Sequence, residues 1–256
     1  MTPETIQLAS VLLEPNRWTP GKIPGLRLSP WLDRITEAGF DGVELWENHA
    51  LLADDTEQDA LIQATFPFPI FNSYVNLRSD GREAREKVAA IARALGAQAI
   101  KFNFSQDTAK RGEELSELNQ WAESLSGIKL LCECHPGTSV EEPEQAAAAL
   151  ASCPEVGIVV HPLNTSQLET WLSLFGKRVC HSHIQWMVTE GRFKPLSQCR
   201  ELLEERLQIL RRHHYQGSYT IEFTGGVAEV PEDPGQLFQT AVHDLACLRE
   251  TLGRIN

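Results

Sequence analysis

The feature that most limits what this chain can fold into is a regular alternation. Short runs rich in β-branched and aromatic residues are followed by longer helix-like segments, eight times over, with no linker or low-complexity break between them. The strand-like runs cover residues 6–13, 41–46, 70–77, 97–104, 129–135, 156–161, 179–185 and 218–223. The helix-like segments cover 31–37, 55–64, 80–95, 111–125, 139–150, 166–175, 198–212 and 234–252. Strands separated by helices pair in parallel, because a parallel connection needs a crossover. Eight such units in 256 residues predict a closed (β/α)8 TIM barrel, a single domain over 1–256. A doubly wound open sheet is the competing arrangement. The Gly-rich turn expected after its first strand is absent, since Leu13-Glu14-Pro15 stands there.

Local signals agree with this layout. Ser29-Pro30 reads as an N-cap followed by proline at the first helical position, with Gly39 past the end of that helix. Gly96 closes the long helix of 80–95, and Thr138 or Ser139 opens the sixth helix. In the fourth run Ile100, Phe102 and Phe104 share one face while Lys101 and Asn103 share the other. Apolar residues facing helices and polar ones facing an axial pocket give that pattern. A loop of about ten residues follows the seventh strand, long by ordinary standards.

Composition narrows the function classes. A formal charge of −12 argues against nucleic acid, which needs a basic stripe along its phosphates. A small molecule held in a local site remains open, as does a homo-oligomer. The six cysteines form no CxxC, the start MTPETIQLAS lacks a basic and apolar leader, and no apolar run reaches membrane-spanning length. These features predict a reduced, cytoplasmic protein whose thiols pack as small hydrophobes, Cys132 and Cys134 pointing away from the face that carries Glu133.

Barrels of this kind work at the C-terminal ends of their strands. The residues there are Glu44, Trp46 and His49, Lys101 and Asn103, Glu133 and His135, His161 and Asn164, His181, His183 and Gln185, and Glu222. The i, i+2 spacing puts His181 and His183 on one face of their strand. Carboxylates and imidazoles together suit Mn²⁺, Zn²⁺, Co²⁺ or Fe²⁺ better than Ca²⁺ or Mg²⁺. Plainer roles exist for each: a strand-end histidine as a hydrogen-bonded structural group, Lys101 as the ion-pair partner of Glu133, Trp46 as a pocket wall.

The runs AGFDGVELW, LLCECHPGT, VGIVVHPLN, VCHSHIQ and YTIEFTG, taken in order, resemble the xylose-isomerase-like TIM-barrel superfamily over nearly the whole chain. That superfamily includes sugar and sugar-phosphate isomerases and epimerases, inosose dehydratase-like proteins and endonuclease IV. The resemblance implies one divalent metal ion held by Glu133, His161, His183 and Glu222. It also implies Glu133 and Glu222 as acid and base, and substrate contacts at His135, Asn164 and His181. Glu44, Trp46, His49, Lys101, Asn103 and Gln185 complete the expected substrate lining. Two positions depart from the family pattern. His161 stands where an aspartate is usual, which removes one negative charge and shifts the preference towards Zn²⁺, Fe²⁺ or Co²⁺. His183-Ile184-Gln185-Trp186 lacks a lysine and an aspartate common after the seventh-strand histidine.

The leading expectation is a metal-assisted isomerase or epimerase of a small sugar, sugar phosphate or related polyhydroxy carbonyl compound. A non-catalytic, metal-free sugar binder or regulatory protein is the alternative that the two departures suggest. An endonuclease is disfavoured by the charge, and a Schiff-base aldolase by the depth of Lys101 in its strand. Arg192, Lys194, Gly225 and Gly226 could cradle a phosphate, although a solvated charged loop explains them more simply.

Overall fold

Side-chain alternation along each strand sorts residues to the two sides of a closed sheet. In the computed structural model, which describes all residues except 1–3, 16, 18, 190, 228–231 and 256, the barrel strands are β1 (Ile6–Ala9), β2 (Gly42–Trp46), β3 (Ile70–Asn72), β4 (Ala99–Phe102), β5 (Lys129–Glu133), β6 (Gly157–Val160) and β7 (Val179–Ile184), closed by β10 (Ser218–Ile221). All pair in parallel, in the order β1-β10-β7-β6-β5-β4-β3-β2. The helices around them are α1 (Leu32–Glu37), α2 (Asn48–Leu51), α3 (Asp55–Ile62), α4 (Arg82–Ala94), α5 (Arg111–Ser124), α6 (Pro143–Ala149), α7 (Leu168–Phe175), α8 (Arg200–Arg212) and α9 (Pro234–Ile255). The chain is therefore a (β/α)8 barrel in one domain. No described helix is long and apolar enough to cross a membrane.

The outward positions Leu8, Val43, Leu45, Phe71, Ile100, Phe102, Leu130, Ile158, Val160 and Ile221 join the apolar faces of the helices in one continuous core. Burying each such side chain stabilises the fold by roughly 1.5–3 kcal/mol. The helices supply matching stripes. Arg85, Val88, Ala89 and Ala92 of α4 recur at helical spacing and are all buried. Inside the barrel, Ile70, Ala99, Leu131 and Val159 form a separate apolar floor under β3–β6. On the opposite side the interior is polar, with Gln7, Glu44, His181, His183 and Thr220 buried.

Several expected boundaries move, each for a local reason. The first strand stops at Ala9, and Ser10–Leu13 turns as a 3-10 helix while the Ser10 hydroxyl accepts the Trp46 N–H at 2.8 Å. The third strand ends at Asn72. Ser29 caps no helix. Its hydroxyl donates to Glu57 at 2.6 Å, and α1 begins three residues on at Leu32. The sixth helix starts at Pro143, placed at a first helical position, and not at 139. The long segment after the seventh strand is an antiparallel hairpin, β8 (Trp186–Thr189) with β9 (Arg192–Lys194), extended by β11 (Gly226–Val227).

Candidate metal and substrate site

The inward positions at the strand ends converge on Glu133, the last residue of β5. Lys101 points inward from β4, is fully buried, and places its ammonium against Glu133 Oε2. Asn103 Nδ2 donates to the same oxygen at 2.9 Å. The other oxygen, Oε1, accepts from His161 Nε2 at 3.0 Å and lies 3.1 Å from His183 Nδ1. Glu222, just past β10, has Oε2 at 3.2 Å from the same His183 nitrogen. One ligand atom from each of Glu133, His161, His183 and Glu222 can be chosen so that all lie within 4.8 Å of one another.

His183 Nδ1 is the informative atom. It is buried between two carboxylate oxygens yet has the in-line geometry of a hydrogen bond to neither. It lies 3.1 Å from Glu133 Oε1 and 3.2 Å from Glu222 Oε2, a buried polar atom without a hydrogen-bond partner beside two carboxylates. The residues present therefore fit a divalent ion, with mixed carboxylate and imidazole donors that suit Zn²⁺, Fe²⁺, Co²⁺ or Mn²⁺.

A second buried layer lies beneath. The two oxygens of Glu44 face His183 Nε2 at 3.1 Å each, and Oε2 also faces His181 Nε2 at 3.1 Å. His181 Nδ1 is bonded to Ser218 Oγ at 2.8 Å. Glu44 and His181 are fully enclosed, so neither faces the open mouth where a substrate contact was expected. His49 is likewise buried, its ring nitrogens engaged by Ser10 Oγ at 2.9 Å and Glu14 Oε2 at 3.1 Å. Trp46 packs edge-on against His49 and joins Ala9, Val11 and Phe223 in a small apolar wall. Gln185 donates from Nε2 to His161 Nδ1 at 3.0 Å. Asn164 is spent on the Met187 N–H at 3.1 Å, and His135 Nδ1 on its neighbour's carbonyl, that of Pro136, at 2.6 Å.

Electrostatics follow from this packing. Burial pushes the Glu133 carboxyl up, but the charge of Lys101, the bond from His161 and the nearness of His183 hold it well below the usual carboxylate range. Lys101 is the mirror image: burial would lower it, and Glu133 raises it further. Glu44 is also held low, because His183 and His181 together outweigh its burial. Burial lowers His181, against the opposing pull of Glu44. In His183 burial is overcome by Glu222 and Glu44, which raise it.

Two groups near the mouth escaped the sequence reading. Glu47 accepts from Ser73 Oγ at 2.6 Å and the Tyr74 N–H at 2.9 Å, and burial pushes its carboxyl up. Tyr74 lies beyond the end of β3, its ring centroid 4.8 Å from Lys101 Nζ and 4.4 Å from Lys22 Nζ. Glu47 follows the inward-pointing Trp46, so strand parity argued against it. Tyr74 sits in a loop with no periodicity to read.

A barrel with a carboxylate and imidazole cluster at its C-terminal mouth defines the class. The family model described as "Xylose isomerase-like TIM barrel" matches residues 32–250, and the chain belongs to that family. A search of curated proteins finds no match. Among solved structures, the chain is similar to 3-keto-D-glucoside 4-epimerase, YcjR, from E. coli in its apo form, with 18% identity, TM-score 0.67 and coverage of 97% of this chain and 100% of that one. It is similar also to the probable 3-DHS dehydratase AsbF from Bacillus anthracis, at 14% identity, TM-score 0.71 and coverage of 94% and 98%. A third is the IolI protein with a binding zinc atom, at 16% identity, TM-score 0.64 and coverage of 98% and 97%. At these identities the likeness is one of fold.

Proposed function

We propose that the chain is a metal-assisted isomerase or epimerase of a small sugar or related polyhydroxy carbonyl compound. The observation that carries the reading is the cluster of Glu133, His161, His183 and Glu222 around one point at the barrel mouth. Similarity in fold to a sugar epimerase and to a zinc-binding IolI protein supports it.

A bound divalent ion would polarise a substrate carbonyl and stabilise the charge that develops beside it. His161 and His183 would hold that ion together with Glu133 and Glu222. The two glutamates approach from β5 and β10, so each can reach a carbon of the substrate from its own side. A carboxylate so placed can remove a proton at carbon and return it, as general base and then acid. Lys101 and Asn103 keep Glu133 ionised and fixed in direction. Phe223, half-buried and backed by the buried Trp46, offers an apolar wall to a ring or chain face, and Gln185 holds the plane of the His161 ring.

The test uses Glu133→Gln and Glu222→Gln with a panel of ketoses, aldoses and keto-sugars in deuterated water. Wild-type protein is expected to place solvent deuterium at the carbon beside the carbonyl, and each variant to lose that exchange when metal is not in excess. Normal incorporation by both variants would sink the proposal. One observation favours a second reading, a metal-free sugar binder. Lys101 against Glu133, and His183, raised by the carboxylates around it, already offset much of the carboxylate charge without an ion. Elemental analysis of protein purified without chelator separates the two. Ligand-induced stabilisation with no bound metal and no turnover would favour the binder.

A further inference from the structure

We infer that Glu44 is a positioning residue: from beneath the site, it fixes which nitrogen of His183 is offered to a metal ion. This rests on the metal reading of the preceding section. Glu44 crosses the barrel interior from β2 to reach two histidines of β7, and all three side chains are inaccessible to solvent.

The argument is one of counting donors. A carboxylate only accepts hydrogen bonds, so each nitrogen facing Glu44 must carry a hydrogen. Both nitrogens that face it are Nε2 atoms, one from His181 and one from His183. His181 then has Nδ1 as an acceptor, and Ser218 Oγ at 2.8 Å can donate to it. The reverse arrangement, with hydrogen on His181 Nδ1, would set a bare nitrogen lone pair against a carboxylate oxygen at 3.1 Å in a place water cannot reach. The chain Ser218, His181, Glu44, His183 therefore has one consistent direction. At its end His183 keeps the hydrogen on Nε2, and Nδ1 is the nitrogen left for an ion between Glu133 and Glu222. Ligating histidines commonly rely on such a partner, and its loss typically weakens metal binding 10–100-fold.

Glutamine at position 44 would offer one acceptor oxygen and an NH₂ group in place of two acceptor oxygens. One of the two histidines would then face a donor and would be favoured with its hydrogen on Nδ1. The experiment measures Zn²⁺ affinity by chelator competition for wild-type protein and Glu44→Gln, together with melting temperature. It also records the imidazole N–H resonances of the wild type, with and without zinc. The expected result is an affinity about 10–100-fold weaker in the folded variant, with a solvent-protected Nε2–H resonance from His183 retained when zinc is bound. A merely structural Glu44 would shift the melting temperature and leave the affinity unchanged, and that result overturns the inference. Zinc on Nε2 in place of Nδ1 overturns it as well. The resonance is read on wild-type protein, so the inference stays testable where Glu44→Gln does not fold. Wild-type protein that binds no zinc overturns the metal reading instead. That failure is told apart by protected Nε2–H signals of His181 and His183 persisting in the metal-free protein.

Discussion

Replacing Lys101 with methionine removes the cation buried against Glu133 and keeps the apolar stem. Glu133 would then be a carboxylate that is 4% exposed, with only Asn103 and the two histidines to balance it. Breaking a buried pair by removing one partner costs about 3–5 kcal/mol. The remaining bonds to Glu133 place Lys101→Met at the low end, about 3 kcal/mol at pH 7 without metal, or a fall in Tm of about 6–12 °C for a chain of this size. The sign with pH follows from Glu133, whose folded pKa is depressed by Lys101. The stability this contributes is present above the ordinary glutamate value and is lost as pH falls below it. The deficit of the variant should therefore be largest at neutral pH and shrink towards acid, where Glu133 takes up a proton. Removing Lys101 also leaves Oε2 with Asn103 as its one described donor and takes a positive charge away from the site, so divalent metal should bind the variant at least about tenfold more tightly. Saturating zinc should then recover much of the lost Tm. Thermal melts from pH 4 to 8, with and without zinc, provide the assay. A variant that melts within a degree or two of wild type at pH 7 without metal would refute the charge-balance reasoning.

Other perturbations are as direct. His161→Asp should lower metal-free stability by about 1–3 kcal/mol, because Glu133 loses a donor and gains a like charge; metal titration should show the preference moved towards Mn²⁺ or Mg²⁺. Gln185→Glu places an acceptor opposite His161 Nδ1, moves the hydrogen there and frees Nε2, so zinc affinity by chelator competition should rise about tenfold. Asp244 on α9 is pushed up to about 7 by burial, against the pull of its hydrogen bond from the Leu196 N–H at 2.8 Å. A raised carboxyl costs stability as pH climbs from the unfolded value near ~4 through the folded one, so Asp244→Asn should gain about 1–3 kcal/mol at pH 8 and nothing at pH 4 in denaturant melts.

The barrel was legible because its signal is repeated. Each strand-helix unit is weak alone, but eight in register leave few alternatives, and the inward parity of Lys101 and Asn103 could be read from the apolar residues between them. Hydrogen bonds that ignore periodicity could not be read. Ser29 has the sequence of an N-cap, yet Glu57, 28 residues on, takes its hydroxyl. The β8–β9 hairpin carries no turn dipeptide beyond Gly191 and sits where barrels place variable loops. At the site, the strand-end rule picks out residues that share the inward face but does not rank them by depth. Glu44 and His181 lie one layer below His183, and strand parity alone gives both layers the same inward face.

That layering bears on how the proposed chemistry divides between the two glutamates. Glu133 Oε2 is held by Lys101 and Asn103, and Oε1 is shared by His161 and His183. Glu222 meets His183 alone among these groups, through Oε2 at 3.2 Å. A carboxylate that accepts several charged or directed bonds is a weak base, because each bond favours the ionised form. In the proposed reaction Glu222 is therefore the better proton acceptor, and Glu133 serves mainly to hold the ion and fix its ligands. An isomerisation in which one base carries the proton between adjacent carbons suits this asymmetry. An epimerisation that needs two matched bases on opposite faces suits it less. Glu222→Gln should then abolish deuterium exchange by more than 10³-fold, within the range of general-base losses of roughly 10²–10⁴. Glu133→Gln should act first through metal affinity and recover part of its exchange at high metal concentration. Equal losses in the two variants at saturating metal would show that both glutamates carry protons and would remove the asymmetry argued from their hydrogen bonds.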